Sequence, residues 1–171
     1  MSSENAGGPT TVTTPENTDG GLRIQADRTA NLEGYGPTIE TLITTEALEV
    51  YDSGSIFFLD LDGGFTVTLP TLAQVLASNS GSWYAKFIVK TSASSDYIIT
   101  EDTGADTDKL IGSSDSNQIT TSTNMDYSAA FTQVNFIGSS AVVGDWCDFS
   151  SDGVNWYIHG HANVRAGITL T

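Results

Sequence analysis

Residues 145–161, Asp-Trp-Cys-Asp-Phe-Ser-Ser-Asp-Gly-Val-Asn-Trp-Tyr-Ile-His-Gly-His, carry the strongest structural signal in the chain. Two short runs of aromatic and apolar residues flank Ser151-Asp-Gly153. Asp followed by Gly favours a tight turn because Gly supplies the positive φ that such turns need. We therefore predict a β-hairpin with Asp152 and Gly153 in its turn.

Further strand signals lie upstream of this hairpin. Residues 65–69, Phe-Thr-Val-Thr-Leu, alternate apolar and polar side chains with period two, which indicates a half-buried strand. Other strand-like runs occupy residues 55–62, 83–90, 97–100 and 131–137, separated by turns rich in Gly, Ser and Asp. Residues 101–108 and 112–124 are interpreted as an acidic and a polar loop. This pattern predicts an all-β fold, an antiparallel sandwich or barrel.

One short helix interrupts the strands. It follows Pro70, and Leu72, Val75 and Leu76 have the i, i+3, i+4 spacing of an apolar helix face. Thr71 is in position to cap its N-terminus.

The first 50 residues differ in composition from the rest. Residues 1–21 contain few apolar side chains, and residues 22–50 carry them sparsely among Thr and acidic residues. We predict an extended N-terminal arm over residues 1–50 and a β domain over residues 51–171. Leu22, Ile24 and Ile39 are candidate contacts of this arm with a neighbouring chain.

Charge excludes several classes of partner. The chain of 171 residues has 6 Lys and Arg against 21 Asp and Glu, a net charge of −15. Nucleic acids and anionic membranes attract basic surfaces, so neither is an expected partner. No apolar run reaches the length of about 18 residues that suggests a membrane span, and the start lacks the pattern of a signal peptide. With a single cysteine, Cys147, we expect no internal disulfide and a protein made in a bacterial cytoplasm or released by lysis.

Three segments together resemble a module of tailed-bacteriophage virion proteins. They are Phe65-Thr-Val-Thr-Leu-Pro70, the strand from Tyr84 to Val89, and Gly144-Asp-Trp-Cys-Asp-Phe-Ser-Ser-Asp-Gly-Val-Asn-Trp-Tyr-Ile158. The resemblance covers about residues 55–160. It is to modules of head decoration (cement) proteins and of trimeric tail-fibre or spike proteins.

The resemblance implies a structural role in the virion. We expect a head decoration protein on the outer surface of the capsid that binds the major capsid protein, bridges capsomers and forms a homo-oligomer, a trimer. The alternative is a tail-fibre, spike or receptor-binding module that recognises a host surface ligand. A carbohydrate-binding domain is a third possibility.

Aromatic residues of the hairpin are candidate interface anchors. Trp156 and Tyr157 are consecutive on a strand and therefore point to opposite faces. One would fill the core, and the other would be free to cover an edge or a neighbouring chain. For Trp83, Trp146 and Trp156, core packing is the leading interpretation and an interface anchor the second.

Candidate reactive groups are few. His159 and His161 would share one face of a strand and could approach a metal, although two ligands are too few for a closed site without a three-fold axis. Solvated or interface histidines are the preferred interpretation. The acidic run after Glu101 does not have Gly and Glu at the positions where a calcium-binding loop has them. Cys147 is interpreted as a small core residue. The chain shows no catalytic motif, so we expect no enzyme, no cofactor and no metal.

Overall fold

The computed structural model describes residues 37–102, 109–117 and 125–171, all of which fall in the compact unit Pro37–Thr171. Strands dominate this unit, with one α-helix and two 3-10 turns. The strands are β1 Ile39–Leu42, β2 Glu46–Ala47, β3 Ser55–Leu59, β4 Phe65–Thr68, β5 Trp83–Val89, β6 Tyr97–Thr100, β7 Leu110–Ser116, β8 Met125–Phe131, β9 Gln133–Phe136, β10 Trp146–Ser151, β11 Trp156–Ala162 and β12 Ile168–Leu170. The helix α1 is Leu72–Ala77, and the 3-10 turns are Val50–Asp52 and Arg165–Gly167. The predicted all-β fold with one short helix is confirmed.

Two sheets share the strands. A large sheet has the order β1-β3-β5-β10-β11-β7-β8, and a small sheet has the order β12-β9-β6-β4-β2. Their facing side chains form one apolar core, which is the arrangement of a sandwich.

The expected antiparallel pairing is replaced by mixed sheets. From β1 to β6 the chain alternates between the sheets, so β1, β3 and β5 become parallel neighbours in the large sheet. In the same way β2, β4 and β6 become parallel neighbours in the small sheet. The physical reason is that the turn at Gly63 and Gly64 carries the chain from one sheet to the other instead of reversing it within a sheet. Turn residues indicate where a strand ends, but not which sheet receives the next one.

The core takes every second residue of the central strands. Trp83 and Trp156 meet edge to face with ring centroids 5.3 Å apart, and Phe87 contacts both Phe57 and Phe149 at the same 5.3 Å separation. Each such ring is fully or almost fully buried. Burying one large apolar side chain contributes about 1.5–3 kcal/mol, so these rings are a main source of stability.

The hairpin between β10 and β11 forms as predicted. Ser151 pairs with Trp156, and Gly153 has φ +81°. One carboxylate oxygen of Asp152 accepts hydrogen bonds from the backbone N–H groups of Val154 and Asn155, both at 2.9 Å. The Ser151 hydroxyl accepts a third bond from the Gly153 N–H at 3.0 Å. The side chains of Ser151 and Asp152 therefore stabilise the turn in which they lie.

The helix begins where the sequence predicts. The Thr71 hydroxyl accepts the Gln74 N–H at 3.1 Å, and the Gln74 side chain accepts the Thr71 N–H at 2.9 Å. Leu72 and Val75 are buried, but Leu76 is 61% exposed, so the third member of the expected apolar face is not in the core. A six-residue helix offers a narrow buried face, and Leu76 instead lies beside Gly153 of the hairpin turn.

Strand β7 was not expected, because residues 112–124 read as a polar loop. Residues 112–116 of this stretch instead extend between β11 and β8. Gly112 permits the pairing, since a Cβ there would lie 2.1 Å from the Ile158 carbonyl oxygen. A polar strand without apolar alternation gives no periodic signal and depends on its neighbours for hydrogen bonds.

The folded unit begins earlier than residue 51. Strands β1 and β2 belong to the two sheets, and Leu42 and Leu48 are buried in the core. Residues 37–50, which composition assigned to the arm, are therefore part of the sandwich. Residues 1–36 of the predicted arm lie outside the described residues.

Candidate functional site: the outer face of the large sheet

The large sheet presents a second set of side chains on the face opposite to the core, here called the outer face. Because side chains alternate along a strand, each buried residue of the central strands is followed by one that points outward. The outer face includes Ile56 and Phe58 of β3, Tyr84, Lys86 and Ile88 of β5, Trp146, Asp148 and Ser150 of β10, Tyr157, His159 and His161 of β11, and Ser113 and Asp115 of β7. Strand register places these side chains in rows that cross the sheet.

Two neighbouring rows carry most of the polar chemistry. Lys86, Asp148 and His159 lie directly opposite one another on β5, β10 and β11. In the next row Trp146 on β10 faces His161 on β11, and His161 faces Asp115 on β7.

Trp146 lies at the centre of this arrangement. The Lys86 ammonium is 3.7 Å from the centroid of the Trp146 ring, a cation–π contact, and 3.3 Å from Asp148 Oδ1. The His159 ring meets the indole edge-on at 5.4 Å, and the His161 ring stacks on it at 6.1 Å with an interplanar angle of 27°. We call Lys86, Trp146, His159 and His161 the Trp146 cluster.

The two histidines have one carboxylate partner and do not form a complete metal site. His161 Nδ1 forms a short hydrogen bond with Asp115 Oδ1, and His159 is exposed. Among the residues that the structure describes, no group of three or more His, Cys, Asp or Glu is placed to hold a metal ion. One chain therefore offers the His159 and His161 pair as part of an aromatic surface.

Two tyrosines lie in the row next to Lys86 and His159, on the side away from Trp146, and both hydroxyl groups are hydrogen-bonded. The Tyr84 hydroxyl donates to Asp148 Oδ1 at 3.3 Å, and the Tyr157 hydroxyl donates to Asp152 Oδ2 at 3.1 Å. Both rings remain 44% exposed. Burial, followed by the nearby Asp148 charge, raises the pKa of Tyr84, so its hydroxyl stays protonated at neutral pH.

The corresponding face of the small sheet has a different character. Its outward positions are mainly hydroxyl and amide side chains: Thr66, Thr68, Thr100, Gln133, Asn135 and Thr169. In the described chain the aromatic, histidine-bearing surface is thus confined to one side of the sandwich. On this side Tyr84 and Tyr157 are exposed, while Trp146, Lys86 and His161 are partly buried against one another.

The residues predicted as interface anchors fall in different places. Trp156 is completely buried, which is the core interpretation, and it offers no surface to a partner. Tyr157 lies on the outer face, and Ile39 is 65% exposed on the edge strand β1. Leu22 and Ile24 lie outside the described residues. The structure therefore brings Tyr157 together with side chains that sequence reasoning did not select.

Trp146 is half-buried on the outer face, so core packing, the leading interpretation for it, is wrong. The residues that sequence reasoning missed include Tyr84, Lys86 and Asp148. The sequence indicated that they point outward, because each lies between two buried residues in a strand whose side chains alternate. What the sequence does not reveal is that β5 and β10 are adjacent, which requires knowledge of the strand order.

The remaining candidates have structural surroundings. Cys147 is buried, and burial raises the pKa of its thiol well above the usual value, with Asp148 adding to the effect and Lys86 opposing it. Although β5 brings Lys86 close to the thiol, desolvation has the larger effect on its pKa. In the acidic run, Glu101 is buried and accepts the Lys109 N–H at 3.2 Å, whereas residues 103–108 lie outside the described part.

Comparison with known proteins adds no family. No protein-family model matches the chain, and no curated protein matches it. No helix within residues 37–102, 109–117 and 125–171 has the length and apolarity to cross a membrane.

Proposed function

We propose that this protein is a structural component of a tailed-bacteriophage virion, a head decoration protein that stabilises the capsid from outside. The single observation that carries the proposal is the outer face of the large sheet. It combines the exposed rings of Tyr84 and Tyr157 with the Trp146 cluster on a small, strongly acidic β-sandwich, and such aromatic side chains are enriched at protein–protein interfaces.

The sequence module behind the resemblance supports a structural role. Ser151 and Asp152 bind backbone N–H groups of the turn, and Trp156 fills the core. Asp145 is buried and also holds backbone N–H groups. These residues stabilise the fold. The motif therefore supports a rigid structural module and gives no support to a catalytic role.

The proposed mechanism is mechanical. The sandwich binds the major capsid protein on the outer head surface, and the predicted N-terminal arm adds to the binding of neighbouring subunits or of another copy. Edge strand β1, with Ile39 exposed, is available for strand addition. The copies assemble as a homo-oligomer, a trimer, and together oppose the pressure of the packaged genome. The net charge of −15 suits an outer surface, since a protein facing DNA would be basic.

Gold-antibody labelling of intact virions, viewed by electron microscopy, tests this function. Dense label over the whole head is the expected result. Label restricted to the tail tip or fibres would contradict it and favour host recognition.

Deletion of residues 1–21 tests the role of the arm. The truncated protein should fold but fail to bind expanded capsids. Equal binding by truncated and full-length protein would remove the arm as the anchor.

A receptor-binding tail module is a second candidate, favoured by the two fixed tyrosines. Tyr84 and Tyr157 flank Ser150 in one row, and exposed rings of this kind can stack on sugar rings of a host glycan. On a glycan array, Y84A and Y157A should each abolish a signal seen for the unaltered protein. Y51A is the matched control, because Tyr51 is exposed outside the outer face. An array without signal would exclude glycan recognition by these tyrosines.

A further inference from the structure

Two Asp-Gly pairs lie in turns of the described structure. Asp62-Gly63 lies in the turn that joins β3 to β4, and Asp152-Gly153 lies in the hairpin turn between β10 and β11. An aspartate that precedes glycine can cyclise, because glycine has no side chain to hinder attack of its nitrogen on the aspartate carboxyl group. A third pair, Asp19-Gly20, lies outside the described residues. The two described pairs share this chemistry, so their surroundings decide which of them reacts.

The hairpin pair is held in an unreactive arrangement. The Gly153 N–H, which would have to attack, donates instead to the Ser151 hydroxyl at 3.0 Å. The Asp152 carboxylate accepts hydrogen bonds from three donors: the N–H groups of Val154 and Asn155, both at 2.9 Å, and the Tyr157 hydroxyl at 3.1 Å. These bonds, with that of Asn155 the largest contributor, lower the pKa of Asp152 and so reduce the fraction of neutral carboxyl group, the form that loses water. Cyclisation at this turn would have to break all four hydrogen bonds.

The pair between β3 and β4 is free at both reacting groups. Within the part of the chain that the structure describes, neither the Asp62 carboxylate nor the Gly63 N–H has a hydrogen-bond partner. Both residues are exposed, and a Cβ built at Gly63 would meet nothing within 4 Å. This turn therefore has room for a five-membered ring and no hydrogen bond of these two groups to break.

Ser94 adds a chemical reason for reaction at this turn. Its N–H and its hydroxyl both donate to the Asp62 carbonyl oxygen, at 2.6 Å and 2.9 Å. When the Gly63 nitrogen loses its proton, negative charge spreads through the peptide bond to this oxygen, so both donors stabilise the attacking anion. The same donors stabilise the charge that develops when water attacks this carbonyl group. Ser94 therefore favours both closing the ring and opening it at the backbone carbonyl.

We propose that Asp62 is a self-modification site at which the folded protein converts aspartate to isoaspartate, whereas Asp152 is protected. The Gly63 nitrogen forms a bond to Asp62 Cγ, the Cγ–OH bond breaks, and water leaves to give a succinimide. Water then adds to the backbone carbonyl carbon of Asp62, and the bond from this carbon to nitrogen breaks. The former backbone carbonyl group becomes the free carboxylate.

The product has one additional backbone atom in the connection between the two sheets, because the chain now runs through Cβ and Cγ of Asp62. Water is the only co-reactant, and it is first lost and then regained, so the mass and the net charge are unchanged. The site does not depend on the proposed function, and either can fail without the other.

Incubation of the full-length protein at neutral pH for several weeks tests the proposal. Digestion with a protease that cleaves before aspartate but not before isoaspartate, followed by mass spectrometry, measures the product at each position. In the folded protein, isoaspartate at residue 62 should exceed that at residue 152 at least about tenfold, because Asp152 would have to lose its hydrogen bonds. In guanidinium chloride the two positions should react at similar rates. Absence of product at residue 62 of the folded protein, or equal amounts at both positions, would overturn the proposal.

Two serine variants test the role of the Ser94 hydroxyl. S94A removes one of the two donors to the Asp62 carbonyl oxygen and should slow formation of isoaspartate at residue 62 several-fold. S92A is the matched control, because Ser92 is an exposed serine of the same connection between β5 and β6. It should react like the unaltered protein. Equal rates in S94A and S92A would refute the contribution of this hydroxyl.

Two further variants test the ring and the protection of the hairpin. G63A adds a methyl group that meets nothing in the fold but hinders attack by the nitrogen, so it should suppress the product at residue 62. Y157F removes one donor from the Asp152 carboxylate and should raise the product at residue 152 while leaving that at residue 62 unchanged. Thermal unfolding verifies that each variant is folded. Unchanged product at residue 62 in G63A would exclude the succinimide route.

Discussion

Asp145 joins two loops through the hydrogen bonds of one buried carboxylate. Its Oδ2 accepts the Val142 N–H at 3.0 Å, and its Oδ1 accepts the backbone and side-chain N–H groups of Asn163 at 2.8 Å and 3.0 Å. The preceding Gly144 has φ +95°, a conformation that other residues adopt with strain. This residue pair therefore fixes the entry into β10 and the exit from β11.

Replacing Asp145 with Ala should destabilise the fold by about 3 kcal/mol, because three N–H donors would lose their acceptor in a buried site. Urea unfolding measures the change. D62A, which truncates an exposed carboxylate, should change the free energy of unfolding by less than about 0.5 kcal/mol. A D145A variant as stable as D62A would show that water satisfies the three donors.

Two aspartates near the surface, Asp60 and Asp152, make stability depend on pH. The Lys90 and Thr91 hydrogen bonds lower the pKa of Asp60, and the Asn155 and Val154 N–H groups lower that of Asp152. Both folded values lie below the ordinary value of 3.8, so each charged group favours folding above that pH and loses its contribution as the pH falls through the folded pKa.

The urea midpoint of the unaltered protein should therefore fall between about pH 5 and about pH 3. In the D60N/D152N variant the fall should be smaller, because these two groups no longer titrate. An identical pH profile in both proteins would assign the effect to other carboxyl groups.

At the scale of elements, helix α1 and the hairpin turn are packed against each other. A Cβ built at Gly153 would lie 3.0 Å from the Leu76 Cβ, while one built at Gly54 meets nothing within 4 Å. Both glycines have positive φ, +81° and +89°. Both positions therefore require a positive φ, but only Gly153 lies in contact with another side chain, that of Leu76.

G54A should cost about 1–2 kcal/mol from backbone strain alone, and G153A should cost more, since the contact with Leu76 is added. Thermal or urea unfolding of both variants gives the difference. Equal losses would mean that the hairpin turn moves away from the helix without cost.

For the whole molecule, the position of the domain boundary is the main consequence of the topology. The described core lies entirely within residues 37–171, and Leu42 and Leu48 are part of it. Strands β1 and β2 also complete one side of both sheets.

Deletion of residues 1–36 should leave the melting temperature nearly unchanged, whereas deletion of residues 1–50 should lower stability by several kcal/mol. The second deletion removes two buried leucines, each worth about 2–5 kcal/mol when truncated, and exposes the faces they cover. Differential scanning calorimetry of the two deletion variants measures the effect. Similar melting temperatures of the two deletion variants would place the start of the folded unit at residue 51.

Local signals in the sequence determined the elements of this protein. Period-two alternation at Phe65–Thr68, the Asp152 and Gly153 turn, and the Thr71 cap each depend on residues within a few positions of one another, and all three formed as predicted. The exposure of Tyr157 opposite the buried Trp156 followed from the same alternation.

The tertiary structure alone decided which strands became neighbours. The chain crosses between sheets after β3, so the pairing is mixed, and the polar strand β7 exists because β11 and β8 hold it. The Trp146 cluster follows from the same cause, since Lys86 is distant in sequence from Trp146 and His161 and meets them only through the order β5-β10-β11. Local propensity acts over a few residues, whereas register and strand order are set by the free energy of the whole core. The candidate site depends on strand order, so local propensity does not reveal it.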